Sequence, residues 1–233
     1  DPTVRAHALA AQLLDRHGIV TRAIGPAEGI AGQFGAIFRV LAALEQAGQV
    51  RRGYFVEHLG GSQFALPGAV DKLRADAKQA VPPGGRDGPA RAGAVLLAAT
   101  DPANPYGAAL AWPVPSVSGG TANDVPGAGD PARHRPGRKA GSVVVLVGGA
   151  LTLYVERGGR SVLSFGDDAA TLSAAAVLLA ETARTGRLGR LTVQRGDSAA
   201  LLGRDSLRSP LGRALTDAGF APTPRGLRLR GLA

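Results

Sequence analysis

The sequence predicts an α+β fold built from two modules, and three observations predict it. Residues 1–48 hold two apolar stripes at helical spacing and lead into two short apolar runs that flank a glycine pair. Residues 76–92, where the composition shifts to VPPGGRDGPARAG, are too rich in proline and glycine for regular structure. Beyond residue 142, short β-branched runs broken at glycines surround one long Ala/Leu-rich helical stretch.

In chain order, TVRAHALAAQLLDRHG places Val4, Ala8, Ala11 and Leu13 or Leu14 on one helical face, with Thr3 as N-cap and Gly18 as stop. A turn over residues 19–29 has room for a short helix. GQFGAIFRVLAALEQAG aligns Phe34, Ile37, Phe38, Leu41 and Leu44 and ends on Gly48, which makes it the strongest helix. Val50 with Tyr54, Phe55 and Val56 reads as one strand. Gly60 and Gly61 break the chain, and residues 63–66 before Pro67 read as a second strand. Helix, short helix, helix and hairpin is the order of a winged helix-turn-helix, here residues 1–75, with a linker at 76–92.

Residues 93–233 form the second, β-rich α+β module. AVLLAAT is a strand, and DPANPYG supplies turn formers in Asp101, Pro102, Asn104, Pro105 and Gly107. Residues 115–141 have almost no large apolar side chains and read as a disordered insertion. SVVVLVGG, ALTLYVERGG and RSVLSFG make a β-meander. A helix follows, opened by Asp167 or Asp168 with Arg184 near its end. RLTVQRG is a further strand, SPLGRALTDAGF a short helix, and GLRLR a last strand. The strands are mostly antiparallel and the module is expected to be β-barrel-like.

Composition narrows the function. The chain has 233 residues, 45% of them apolar and 19% charged, and no apolar run approaches a membrane span. No exported leader is visible, so the expected location is cytoplasmic. Because it opens Asp1-Pro2-Thr3, the sequence reads as a piece of a longer polypeptide. Cysteine is absent, which excludes disulfides and thiolate metal sites. The net charge of +9 is concentrated at the end, where residues 184–233 hold 10 arginines against three acids. An anionic partner such as nucleic acid fits that asymmetry.

Several chemistries have no support. The lysines, Lys72, Lys78 and Lys139, follow Asp71, Ala77 and Arg138, so no phosphate-cradling Gly-Lys-Ser/Thr loop occurs and no cofactor is expected in this stretch. His7, His17, His58 and His134 lack metal-ligand spacing, and no G-x-S-x-G elbow appears. The candidate catalytic residues are Asp101 in its turn, where a carboxylate positions a water or faces a developing cation, and Gln194 and Asp197 of QRGD beside a strand. The bland reading makes all three turn or strand-end residues. For nucleic acid, the long helix faces outward with Gln33 and Arg39. Its wing offers Arg51 and Arg52 for phosphates and Tyr54 to stack a base. Arg195, Arg225, Arg228 and Arg230 extend the basic set.

The run GQFGAIFRVLAALEQAGQVRRGYFVEHLGGSQFALPGAVDKLR, followed by LLAATDPANPYGAALAWP, resembles the C-terminal region of Lhr proteins, the large helicase-related family of bacterial superfamily 2 helicases. The resemblance implies a parent that hydrolyses ATP, with Mg, in motor domains upstream, and moves 3′ to 5′ on single-stranded DNA in repair. It also implies a C-terminal extension of winged helices and a barrel-like module similar to DNA glycosylases, linked to self-association and to uracil removal. Glycosylase relatives use a glutamine-containing motif, and QRGD supplies a glutamine at different spacing. The expected function is a DNA-binding and assembly module of such a helicase, with a uracil-removing glycosylase module as the alternative.

Overall fold

The computed structural model describes residues 1–30, 34–57, 59–79, 93–116, 135–197, 199–201 and 204–230. The chain divides into two compact units: residues 1–80 with 105–111, and residues 81–104 with 112–233.

The first unit runs α1 (Pro2–His17), β1 (Ile19–Val20), α2 (Ile24–Ala27), α3 (Phe34–Gln46), β2 (Arg51–Gly53), β3 (Gln63–Ala65) and α4 (Pro67–Gln79). Asp1 rather than Thr3 caps α1, its carboxylate accepting the Thr3 N–H at 2.8 Å with Pro2 in the first turn. Gly18 ends the helix at φ +69°, a left-handed conformation that glycine takes without strain. The three strands pair in the order β1-β3-β2, all antiparallel. Leu13 and Leu14 of α1, Val20, Ile24, Ile37 and Leu41 of α3, Val50 and Phe64 close one core. The stripe read from α3 therefore faces inward, and this unit is a winged helix.

Two expectations change here. Tyr54, Phe55 and Val56 lie beyond β2 in the loop, not in the strand. The chain also does not enter a linker at residue 76, because α4 continues to Gln79. Pro67 had read as the end of a strand, but proline is equally at home in the first turn of a helix. The rest of the 76–92 linker lies outside the described residues. Residues 105–111 pack with this unit, and Ala109 lies against its core.

In the second unit a six-stranded sheet has the order β10-β9-β7-β6-β5-β4. Its strands are β4 (Ala94–Ala98), β5 (Val143–Val147), β6 (Ala150–Val155), β7 (Ser161–Ser164), β9 (Arg195–Gly196) and β10 (Ala199–Ala200). The β4-β5-β6-β7 pairs are antiparallel, whereas β7 and β9 run parallel. A second sheet, order β11-β12-β8, joins Phe220–Thr223 (β11), Gly226–Leu229 (β12) and Thr192–Val193 (β8). The helices are α5 (Ala169–Arg184), α6 (Arg204–Arg208) and α7 (Pro210–Asp217).

Period-two alternation sorts the strand residues. Val145, Val147, Leu153, Val155 and Val162 join Leu172, Ala175, Ala176 and Leu179 of α5 and Leu211 and Leu215 of α7 in the main core. Tyr154, in register with Val144 and Leu163, is buried outside that cluster and meets the edge of Trp112 at 5.7 Å between ring centroids. Asp168, one of the two residues expected, caps α5 through the Thr171 N–H at 2.8 Å.

The described strands form two open sheets rather than a closed barrel. RLTVQRG is not one strand: β8 belongs to the three-stranded sheet and β9 to the six-stranded one. Residues 117–134 of the expected insertion lie outside the described residues, but its flanks are tied down. Ser116 donates from N to Ser164 O at 2.8 Å and from Oγ to Gly166 O at 2.9 Å. Arg138 donates to the carbonyls of Asn104, Thr100 and Asp101 at 2.7, 3.1 and 3.1 Å. Few large apolar side chains signalled disorder there, yet hydrogen bonds fix the ends.

Candidate nucleic-acid interface

The wing is built around Gln63, a fully buried side chain. Its Oε1 accepts the N–H groups of Phe55 and Val56, each at 2.8 Å, and its Nε2 donates to the carbonyls of Val56 and Leu59, each at 2.9 Å. One amide thereby satisfies four backbone groups that the loop leaves without strand partners. Phe55 folds back over Gly53, where a Cβ would meet its ring at 3.1 Å. Tyr54, the neighbour of that turned-back ring, stands 85% exposed.

The two wing arginines are not equivalent. Arg52 lies over the rings of Phe38 and Phe64, 5.6 and 5.7 Å from their centroids, and its Nε donates to Ser62 Oγ at 2.9 Å. The two rings meet edge to face at 5.4 Å. Arg52 also faces Glu45 at 3.8 Å, so it clamps α3 to the wing. Arg51 makes only a loose ion pair with Asp71 at 3.8 Å, both side chains being largely exposed. Arg39 is exposed on α3, while Gln33 lies outside the described residues.

In the second unit Asp197 follows β9 at φ +51°, the left-handed region seldom taken by non-glycine residues. Its carboxylate is partly buried and accepts the Ser164 N–H at 2.6 Å and the Ser164 hydroxyl at 2.8 Å. Burial pushes its pKa above the usual aspartate value, against the lowering effect of the two Ser164 hydrogen bonds. Gln194 sits at the other end of β9, half-buried, with its backbone N–H on Arg160 O at 2.8 Å. Asp101 accepts the Ala103 N–H at 2.8 Å, as a turn former does, and buried Asn104 donates to Ala99 O at 2.9 Å.

Residues 1–84 match the family model described as large helicase-related protein, winged-helix domain. The chain is Lhr-related. It is 47% identical over 232 residues to a Mycolicibacterium smegmatis protein named "Lhr helicase/ probable uracil glycosylase", covering 99% of this chain and 14% of that protein. It is 36% identical over 225 residues to the Escherichia coli "Lhr helicase/uracil glycosylase", covering 97% of this chain and 13% of the relative. The chain thus spans about a seventh of the length of the curated relatives it matches.

Placed in this Lhr-related chain, the sequence candidates fall into separate groups. Asp101 follows β4 at one edge of the large sheet and Asp197 follows β9, four strand spacings away, roughly 19 Å along the sheet. They do not share a site. Arg195 is exposed on β9. Arg225 stands in the β11–β12 turn, while Arg228 and Arg230 project from β12 and its end. Among the described residues no group of three or more His, Asp or Glu is placed to hold a metal, and no helix is long and apolar enough to cross a membrane. Gln63, Ser164 and Arg138 were missed in the sequence reading, because each acts on backbone groups brought near only by folding.

Proposed function

We propose that this chain is a DNA-binding module of an Lhr-type helicase, contacting single-stranded DNA in a repair setting. The winged helix supplies a stacking contact at Tyr54 and phosphate contacts at Arg51 and Arg39. The observation that carries the reading is Tyr54: a large ring 85% exposed, on a loop whose backbone Gln63 fixes, is a preorganised platform for a base. The relatives' printed names and the match to an Lhr winged-helix domain support it.

Fluorescence anisotropy with a labelled single-stranded oligonucleotide at several salt concentrations tests it. Wild-type binding weakens steeply with salt, and Tyr54→Ala lowers affinity by about 1–3 kcal/mol, the worth of one stacked base, whereas Tyr54→Phe does not. Unchanged affinity in Tyr54→Ala overturns the assignment. Light scattering of the same samples reports any self-association.

Asp197 favours a second reading, uracil removal by the β-rich unit. It is a partly buried carboxylate with a raised pKa in an uncommon backbone conformation, and both relatives carry glycosylase in their names. Abasic sites formed in uracil-containing single strands by the wild type and not by Asp197→Asn would support it. Equal activity in the two proteins would remove Asp197 from the chemistry.

A further inference from the structure

The end of α5 and the last strand border an open surface cavity of about 450 Å³ whose lining, among the described residues, includes the exposed side chains of Arg184, Arg190, Arg228 and Arg230 and no acidic residue. Each arginine is placed there by the local fold. Along β12, Leu227 is fully buried and Leu229 packs against the main core, so alternation turns Arg228 and Arg230 to the opposite side. Leu229 N donates to Leu191 O at 3.3 Å, which brings Arg190 beside them, and Arg230 N donates to Gly219 O at 3.3 Å. Arg184, the last residue of α5, donates from Nη2 to Ala218 O at 2.9 Å. Gly219 leaves it room, since a Cβ there would lie 2.6 Å from that nitrogen.

Among the described residues none of the four arginines has a carboxylate partner. Arg190, Arg228 and Arg230 also make no side-chain hydrogen bond among those residues, while one guanidinium nitrogen of Arg184 is occupied by Ala218. Four like charges around one cavity repel, though solvent screens them because all four side chains are exposed, and the C-terminal end of α5 offsets only about half an elementary charge. An anion resolves that imbalance. Guanidinium forks match the paired non-bridging oxygens of a phosphate, and the volume admits one with its sugar.

We propose that this cavity holds a phosphodiester of a nucleic-acid strand, with Arg190, Arg228 and Arg230 donating to the phosphate and Arg184 fixing the wall. The assignment rests on the DNA-binding reading above and adds a second contact, independent of the wing. NMR of the arginine Nε–H groups in the whole chain tests it, with two probes: an oligonucleotide lacking terminal phosphates, and inorganic phosphate alone. The signals of Arg190, Arg228 and Arg230 shift with the oligonucleotide. No shift with it overturns the proposal, and a shift with inorganic phosphate only marks a free-phosphate site and overturns the nucleic-acid assignment.

In parallel salt titrations, Arg190→Ala combined with Arg228→Ala makes the slope of log affinity against log salt shallower by about 0.7 per lost single-strand contact. Arg208→Ala, an exposed arginine outside the cavity, leaves the slope unchanged. Oligonucleotide binding with the wild-type slope in the double variant, or an equal change in Arg208→Ala, sinks the cavity while leaving DNA binding intact. Absence of any wild-type binding sinks the wider reading and the cavity assignment together. Loss of the Tyr54 effect alone leaves the cavity standing.

Discussion

Arg51 and Arg52 are adjacent in sequence, yet only one of them is free to serve a ligand. Arg52 is held by two rings, a hydroxyl and a carboxylate, so Arg52→Ala is expected to destabilise the first unit through lost packing. Arg51→Ala leaves stability within about 0.5 kcal/mol and lowers DNA affinity. Thermal melts beside binding curves separate the two effects, and equal destabilisation by both changes would refute the distinction. Gln63 gives a second expectation. In Gln63→Glu the two donors vanish and a carboxylate oxygen faces the Val56 and Leu59 carbonyls, so hydrogen exchange at the Phe55 and Val56 amides should accelerate at least tenfold. Unaltered protection would show that the wing holds without it. For Asp197 the folded-state pKa lies above the unfolded value, so folding favours the protonated form. Its contribution to stability is full below the unfolded pKa and is lost as pH rises through the folded pKa. In Asp197→Asn, whose Oδ1 can still accept the Ser164 N–H while its Nδ2 donates to the Ser164 Oγ, and which tolerates positive φ, that loss disappears: denaturant midpoints of the two proteins agree in acid and diverge toward neutral pH in favour of the variant.

The elements differ in how openly the sequence announces them. The helices α3 and α5 were legible because a 3.6-residue apolar period runs through each, and β5, β6 and β7 because glycines punctuate β-branched runs; α1 was legible as a helix, but its buried face is Ala10, Leu13 and Leu14, while Val4, Ala8 and Ala11 of the expected stripe are exposed. α4 was not legible, since Val70 is its single well-buried apolar residue and its other apolar side chains, Leu73 among them, stay exposed or half-buried, so no apolar stripe marks it. The split of RLTVQRG into β8 and β9 was equally hidden: no turn residue separates Val193 from Arg195, and only the available partners assign each half to its sheet. At α7 local propensity and packing oppose each other. Propensity alone makes Gly212→Ala stabilising by about 1 kcal/mol. A Cβ there would lie 2.3 Å from Ser206 O and 2.9 Å from Leu207 Cα, so α6 and α7 must separate and the change is expected to destabilise by more than 2 kcal/mol, roughly, as overpacking does. Ser209→Ala, which removes the cap on Gly212 N at 3.0 Å, should cost about 1 kcal/mol. Denaturant titration ranks the two, and a stabilised Gly212→Ala protein would mean that the helices separate freely.

At the scale of the molecule, charge rather than any one motif sets the expected behaviour. The last fifty residues carry a net +7, and part of that excess lines one cavity. Wild-type affinity for a single strand is therefore expected to fall at least tenfold between 50 and 200 mM salt, roughly the response of a few neutralised phosphates. Salt-independent binding would remove phosphate contacts from the account. The sequence by itself determined the winged helix, the meander, the long second-unit helix and the resemblance to Lhr proteins, because periodicity, caps and glycine breaks act over a few neighbouring residues. It also determined where the positive charge lies along the chain. Only the tertiary structure decided that Arg52 is clamped while Tyr54 stands free, that Asp101 and Asp197 lie strands apart, and that four arginines from α5, the residues before β8, and β12 with its end meet around one cavity. Those outcomes depend on which distant backbone and side-chain groups folding brings together, and no local pattern encodes that.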